Sequence, residues 1–239
     1  SYELAKGGFT DWSAWHTTSG TATTPPWDKH EPRFAATILY NGCSWKGRAI
    51  EASVGGADGF QAWKVKPTTD GMSTTGYFLR KLLDESWDYS VYDRSLEPWI
   101  AIRYAEVLLN GAEAYCHGDN ANASKARGYV NQVRARVNLP KLTSSGDDLL
   151  SDIMHERKVE LAFEGQQYWD MRRWKRSESE YSNYRVHGIR IDKTTAGYTY
   201  TYVEADDVDR QFSAKLYQIP LPQDELENNS AVKQFSVWN

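Results

Sequence analysis

A mainly α-helical fold, with repeat-like helices, a loop-rich flank and a small β-hairpin, is what the sequence predicts, on three observations. Between residues 100 and 138, apolar residues recur at three-and-four spacing in two successive stretches. From about residue 147 to 174 a third stretch keeps that spacing but sets charged residues on it. Residues 1–98, by contrast, are rich in Gly, Ser and Thr and poor in helical periodicity, and clear strand-like alternation is confined to residues 183–203.

In the flank, residues 17–26 and 54–59 carry the Gly, Pro, Ser and Thr clusters of loops. Residues 36–40 form a short strand-like run that ends at the turn signal Asn41-Gly42. Residues 75–81 suit either a strand or a helix. The first helix presents Ala101, Tyr104, Ala105, Leu108, Ala112 and Tyr115 on one face, and His117-Gly118 marks its end. Asn120 or Asn122 caps the second, whose face is Ala126, Val130, Val133 and Val137, and Pro140 closes it. The pair is similar to one tetratricopeptide repeat, although Tyr115 and Ala126 stand further apart than that pattern expects, and two generic packed helices meet the same pattern.

The long helix, residues 147–174, has the stripe Leu150, Met154, Arg157, Leu161, Glu164, Tyr168 and Met171. Ser145 with Asp148 forms a loose capping box at its start. Charges on such a stripe need partners, because an unpaired buried charge costs several kcal/mol. Beyond it, Val186, Ile189 and Ile191 alternate, then Tyr198, Tyr200 and Tyr202, with residues 194–197 as the turn of a hairpin. Pro220 and Pro222 keep residues 216–222 extended, and residues 223–227 form a short helical turn.

Composition narrows the function. The chain has 239 residues and a net charge of −4, so no basic footprint points to nucleic acid. No apolar run approaches the roughly 18 residues that a membrane-spanning helix needs. Cys43 and Cys116 are either free or one bridge and do not form a metal-ligand spacing. Ser1-Tyr2-Glu3 reads as the interior of something longer or already processed.

Several motifs in order resemble the C-terminal portion of the SusD/RagB family, the outer-membrane glycan-binding lipoproteins of Bacteroidetes polysaccharide utilisation. These are Glu31-Pro32-Arg33-Phe34 with Leu39-Tyr40-Asn41-Gly42, where Glu31 stands for the usual Asp; Thr75-Gly76-Tyr77 with Arg80-Lys81; Arg103-Tyr104-Ala105-Glu106; and Asn131 to Arg136 with Leu139-Pro140. Glu156-Arg157, Glu160-Leu161, Glu164-Gly165 and Asp170-Met171-Arg172-Arg173-Trp174 follow, then Ile219-Pro220-Leu221-Pro222-Gln223-Asp224-Glu225 and the closing stretch 234–238. The resemblance implies one C-terminal SusD/RagB-like domain over 1–239: a loop-rich, aromatic-rich flank (1–98), repeat-like helices and the long ion-paired helix (99–175), and a hairpin with an extended tail (176–239). It implies a non-enzymatic protein that binds oligosaccharide or polysaccharide, without cofactor, and hands it to a SusC-like TonB-dependent transporter. Family members are roughly twice this long, which marks the chain as a fragment whose lipid anchor lies upstream, so that neither Cys43 nor Cys116 is the lipidated cysteine.

Ten Trp and fifteen Tyr suit that function, because a flat ring stacks on the C–H face of a pyranose while polar groups meet its hydroxyls. The candidate glycan-binding residues are Trp12, Trp15, Trp27, Trp45 and Trp63, with Trp87 and Tyr89 behind them and Asp11, His16, Asp28, Asn41 and Asp58 as polar neighbours. Each of these indoles serves either as a platform or as core. Glu106, Glu113, Glu156, Glu160 and Glu164 suggest a bundle metal site, but the Glu-x-x-His pairs it needs are absent, and Val159 stands where a zinc-protease helix beginning His155-Glu156 needs its second His. The expectation is no metal and no catalytic residue: these carboxylates pair with Arg157, Arg172 and Arg173. Glycoside hydrolysis would need two carboxylates about 5–9 Å apart, drawn from Asp11, Asp28, Glu31, Asp58 and Asp70. A protein-docking scaffold is the third reading, since repeat helices often bind proteins.

Overall fold

The computed structural model describes residues 2–17, 19–60, 72–88, 90 and 97–238. In chain order its regular elements are α1 (Pro32–Thr37), β1 (Ile38–Leu39), β2 (Ser44–Trp45), β3 (Arg48–Ala49), β4 (Phe78–Leu79), α2 (Tyr104–Ala114) and α3 (Ala123–Ala135). They continue with α4 (Gly146–Glu160), α5 (Gln166–Arg173), α6 (Ser177–Tyr181), β5 (His187–Thr194), β6 (Gly197–Glu204) and α7 (Gln223–Asn228). The architecture is mostly helical, with small antiparallel strand pairs β1–β4, β2–β3 and β5–β6.

Helices α2, α3 and α4 share one core of Ala105, Leu108, Leu109, Ala112, Ala126, Val130, Val133, Leu149, Ile153 and Leu161. Alanines at the contact let the backbones approach, and the leucines and isoleucine fill the space between them. Full burial of Leu109 or Ile153 contributes about 1.5–3 kcal/mol each. Asn122 is the cap of α3, its side chain accepting from Lys125 N at 3.0 Å. Tyr104, expected on the buried face of α2, is 70% exposed. Ser145 starts α4 without a side-chain cap bond.

The expected single helix 147–174 is two helices. α4 ends at Glu160, Phe163 and Gly165 take positive φ, and α5 starts anew at Gln166. Three charged-group hydrogen bonds hold the break: Lys81 Nζ donates to Glu160 O (3.0 Å) and Ala162 O (2.9 Å), and Arg103 Nη2 donates to Glu160 O (2.6 Å). Cations on the last carbonyls of α4 oppose the negative end of its dipole. The break resets the helical register, which exposes Tyr168 while Met171 stays buried. On α4 the buried residues are Leu149, Ile153, Glu156, Arg157, Val159 and Glu160, so that of the expected stripe Arg157 and the following Leu161 are buried while Leu150 and Met154 are only half-buried.

The ion pairs are buried as anticipated, but the partners differ. Arg33 on α1 is hydrogen-bonded to Glu31 (2.6 Å), Glu156 (2.6 Å) and Glu160 (2.9 Å). Arg134 on α3 joins Glu156 (2.8 Å) to Glu3 (2.7 Å). Glu160 also accepts from Arg103 and Arg136, both at 2.5 Å, and Glu164 accepts from Arg103 (2.7 Å) and Lys81 (2.6 Å). Arg157 pairs instead with Asp170 (2.8 Å), Arg173 reaches Glu113 and Asp170, and Arg172 donates to Leu216 O. Only Glu113 with Arg173 follows the expected pairing. On α1, Phe34 enters a second core with Trp15, Trp27, Ile189, Ile191 and Tyr200.

Burial alone would raise the carboxyls of Glu160 and Glu164, but hydrogen bonds from Arg103, with Arg136 and Arg33 on Glu160 and Lys81 on Glu164, hold both below the ordinary range. Burial also opposes the hydrogen bonds of Arg173 and Trp174 on Glu113, and these too win. Glu31 moves the other way, raised by burial. Depressed carboxyls stabilise the fold above the unfolded pKa of about 4.3 and lose that contribution as pH falls through their folded values. Melting temperature is therefore expected to fall with pH below about 4.3, Glu31 opposing the trend only in part; a melting temperature flat through that acid range would contradict it. Glu164→Ala removes one carboxylate partner from both Lys81 and Arg103, leaving Lys81 on backbone carbonyls and Arg103 on Glu160, and is expected to destabilise the chain by about 1.5–3 kcal/mol, measured by denaturant unfolding.

Candidate functional site

Between the hairpin and the N-terminal flank lie two hollows, of about 630 Å³ and 370 Å³, that share a wall of Trp12, Tyr77, Tyr184 and His187. Their sizes fall in the range of small-ligand sites. The larger is floored by Tyr2, Trp27, His30, Phe34 and Phe163; the smaller by Trp15, His16, Ile189 and Tyr202.

Local structure sets each wall. A 3-10 turn at Ser13–Trp15, braced by Ser13 N donating to Asp11 Oδ1 at 3.0 Å, brings Trp12 and Trp15 to 5.3 Å. Trp15 Nε1 donates to Thr23 O at 2.8 Å. Residues 75–77 lie against β5, with Ile189 N donating to Thr75 O at 2.9 Å. This approach requires two glycines: a Cβ on Gly76 would stand 2.4 Å from Ile189 O, and one on Gly188 would stand 2.4 Å from Thr75 Cα. The contact directs Tyr77 inward, where its Oη accepts from Trp27 Nε1 at 3.0 Å. On β6, Tyr202 stacks on His187 at 4.6 Å with planes 9° apart and lies 4.0 Å from His16.

Burial pushes the Tyr77 hydroxyl up to about 12 and raises Tyr202. His30 is held below the ordinary imidazole range by burial, against hydrogen bonds to the backbone of Glu3 and Tyr2. Among the described residues, no Asp, Glu, Lys or Arg lines either hollow. The arrangement offers flat apolar faces and uncharged hydrogen-bonding groups. It gathers no carboxylate pair of the kind that hydrolysis needs.

The tryptophans singled out in sequence take different places. Trp12 is half-buried and lines both hollows. Trp15 and Trp27 are core residues, 6% and 5% exposed, whose edges reach the smaller and the larger hollow respectively. Trp45 lies on β2, beside the Leu39–Ile50–Ala52 cluster, with the Arg80 guanidinium 5.8 Å from its ring, and lines neither hollow. Trp63, Tyr89 and Asp70 lie outside the described residues. Of the polar neighbours, only His16 reaches a hollow. Asp58 pairs with Arg48, and Asn41 accepts from Ala52 N. Sequence reasoning did not single out Tyr77, Tyr184, His187 or Phe163 as site residues; the Thr75-Gly76-Tyr77 motif and the tyrosine alternation on β6 were the available signals.

The chain matches the model of the SusD family over residues 1–238. It is 43% identical over 86 residues to SusD-like protein P2 of Formosa agariphila, a match covering 32% of this chain and 17% of that protein. It is 37% identical over 97 residues to a SusD-like protein of Bacteroides ovatus, covering 38% of this chain and 17% of the relative. Among solved structures, it is similar to a SusD-like protein from Bacteroides fragilis with a TM-score of 0.80 and 31% identity, over 98% of this chain and 44% of that one. A SusD-like carbohydrate-binding protein from the same species gives a TM-score of 0.71 and 25% identity, over 97% and 46%. The match thus spans less than half the length of both solved relatives.

Tyr77→Phe removes the acceptor of Trp27 Nε1 and is expected to lower stability by about 1–3 kcal/mol in denaturant unfolding. Adding it to Trp27→Phe is expected to cost less than the sum of the single changes.

Proposed function

The chain belongs to the SusD family, and on that premise we propose that it binds oligosaccharide or polysaccharide without catalysis, at the bacterial outer surface, for delivery to a SusC-like TonB-dependent transporter. The observation that carries the binding reading is the aromatic wall shared by the two hollows. Trp12 is the principal platform. Tyr184 and Tyr202, 46% and 36% exposed, extend it, while Trp15 and Trp27 support it from the core. A C–H face against such rings, with hydroxyls meeting His187 and Tyr184, needs no reacting group. About −4 kcal/mol, or roughly millimolar affinity, is enough for a protein that must also release its cargo. Family membership and the carbohydrate-binding description of one solved relative support this reading. Trp45, beside Arg80, is a second candidate contact. The transporter as partner and a lipid-anchored outer-membrane location are inferences from the family; among the described residues no helix is long and apolar enough to cross a membrane.

A protein-docking scaffold of a nutrient-uptake complex is the second reading. It is favoured by the apolar side chains at and before α2: Trp99, Ile102 and Tyr104 are 77%, 71% and 70% exposed, and Val107 is 51% exposed. The two readings are compatible, since this face and the hollows are lined by different residues.

Titration of intrinsic tryptophan fluorescence with an oligosaccharide panel, run beside an assay for released sugar, tests the function. A saturable shift without sugar release is expected, with Trp12→Ala weakening binding tenfold or more, a loss of about 1.4 kcal/mol. Sugar release would favour a hydrolase. Binding to no glycan would favour the scaffold.

A further inference from the structure

Resting on the glycan-binding reading, we infer that the aromatic hollows select uncharged glycan chains and exclude uronic acid-bearing and sulfated ones. The basis is the composition of the lining. Among the described residues, the side chains with polar atoms that line either hollow are imidazoles, phenols, indoles and Thr75, with no guanidinium, ammonium or carboxylate.

Three arginines close in sequence to the hairpin side of the lining are already committed. Arg185, beside Tyr184, is paired with Glu204 (2.9 Å) and Asp209 (2.7 Å). Arg190 on β5 is paired with Asp192 at 2.8 Å, and Arg210, whose backbone bonds to that of Tyr184, is paired with Asp206 at 2.7 Å. These three arginines face four carboxylates, so none of them offers an anion an unpaired cation. The whole chain carries a net charge of −4.

An anionic sugar seated here would lose water around its carboxylate or sulfate and gain no counter-ion. Such uncompensated desolvation opposes binding, and in a weak complex it is enough to decide the ligand class. A neutral pyranose loses nothing comparable. Its C–H faces meet Trp12, Tyr184 and Tyr202, and its hydroxyls meet uncharged donors and acceptors. Because the hollows share one wall, the ligand is a chain of several rings rather than a single sugar.

The test is calorimetric titration of this chain with length-matched oligosaccharides: neutral, uronate-bearing and sulfated. Neutral chains are expected to bind, with affinity unchanged when salt is raised, because no ion pair is there to screen. Matched anionic chains are expected to bind at least tenfold more weakly. His187→Arg, which places a cation on the shared wall, is expected to narrow that gap. Tighter binding of the anionic chains, or neutral binding that weakens with salt, would overturn the assignment of ligand class and leave glycan binding intact. Neutral binding indifferent to Trp12→Ala would overturn the assignment to these hollows. Binding of none of the three would overturn the glycan-binding reading itself, and this inference with it.

Discussion

Arg33 lies at the junction of the molecule. Its guanidinium meets Glu31 beside it in sequence and Glu156 and Glu160 more than a hundred residues away on α4. All four side chains are nearly inaccessible to solvent. None of the three carboxylates is tolerable there alone, since breaking one member of a buried pair costs about 3–5 kcal/mol. The network therefore fixes the position of α1 against the helices. Phe34, the next residue, is thereby set 5.5 Å from Tyr2 and 5.4 Å from Tyr40, in the aromatic core that floors the larger hollow. An electrostatic constraint on one side of a short helix becomes a geometric one on the other.

The same carboxylates shape the helical half. Glu156 and Glu160 stand one turn apart on the buried face of α4, and Glu164 continues the row past the end of the helix. Arg103 and Lys81 each bind a carboxylate and a terminal carbonyl. They thus neutralise a side chain and cap the helix with one group. The flank contributes Glu3, Glu31, Arg33 and Lys81 to this network, and residues 103–164 contribute the rest. Two halves of different character, one irregular and one periodic, are joined chiefly through ions.

The aromatic flank answers a different need. With few regular elements, it can acquire a core only from large side chains, and Trp15, Trp27, Phe34 and Tyr200 provide one. The indoles left at its edge, above all Trp12, with the tyrosines of residues 77, 184 and 202, form a surface that is apolar yet uncharged. The aromatic wall of the hollows and the core are continuous here. That continuity is why the buried indoles still reach the hollows by their edges.

Periodicity and punctuation in the sequence determined the helix pair, narrowed the cap of its second helix to Asn120 or Asn122, and marked the hairpin with its turn at 194–197 and the presence of buried charge on α4. Each depends on neighbours along the chain. The sequence also carried the family motifs, which match the family that the chain belongs to. It did not determine where the long helix breaks, because two cations from distant segments hold that break, although Gly165 marked the place. Nor did it assign partners to Glu156, Glu160 and Glu164: charge requires a counter-charge but does not name one, and Arg33, Arg103 and Arg134 are brought near only by folding. For the candidate site, the sequence supplied the residue types, with Trp12, Trp15 and Trp27 converging on it and Trp45 placed elsewhere. The inward setting of Tyr77, which meets Trp27 between core and wall, was decided by the packing of β5 against residues 75–77. That contact joins segments more than a hundred residues apart, and no pattern local to either one specifies it.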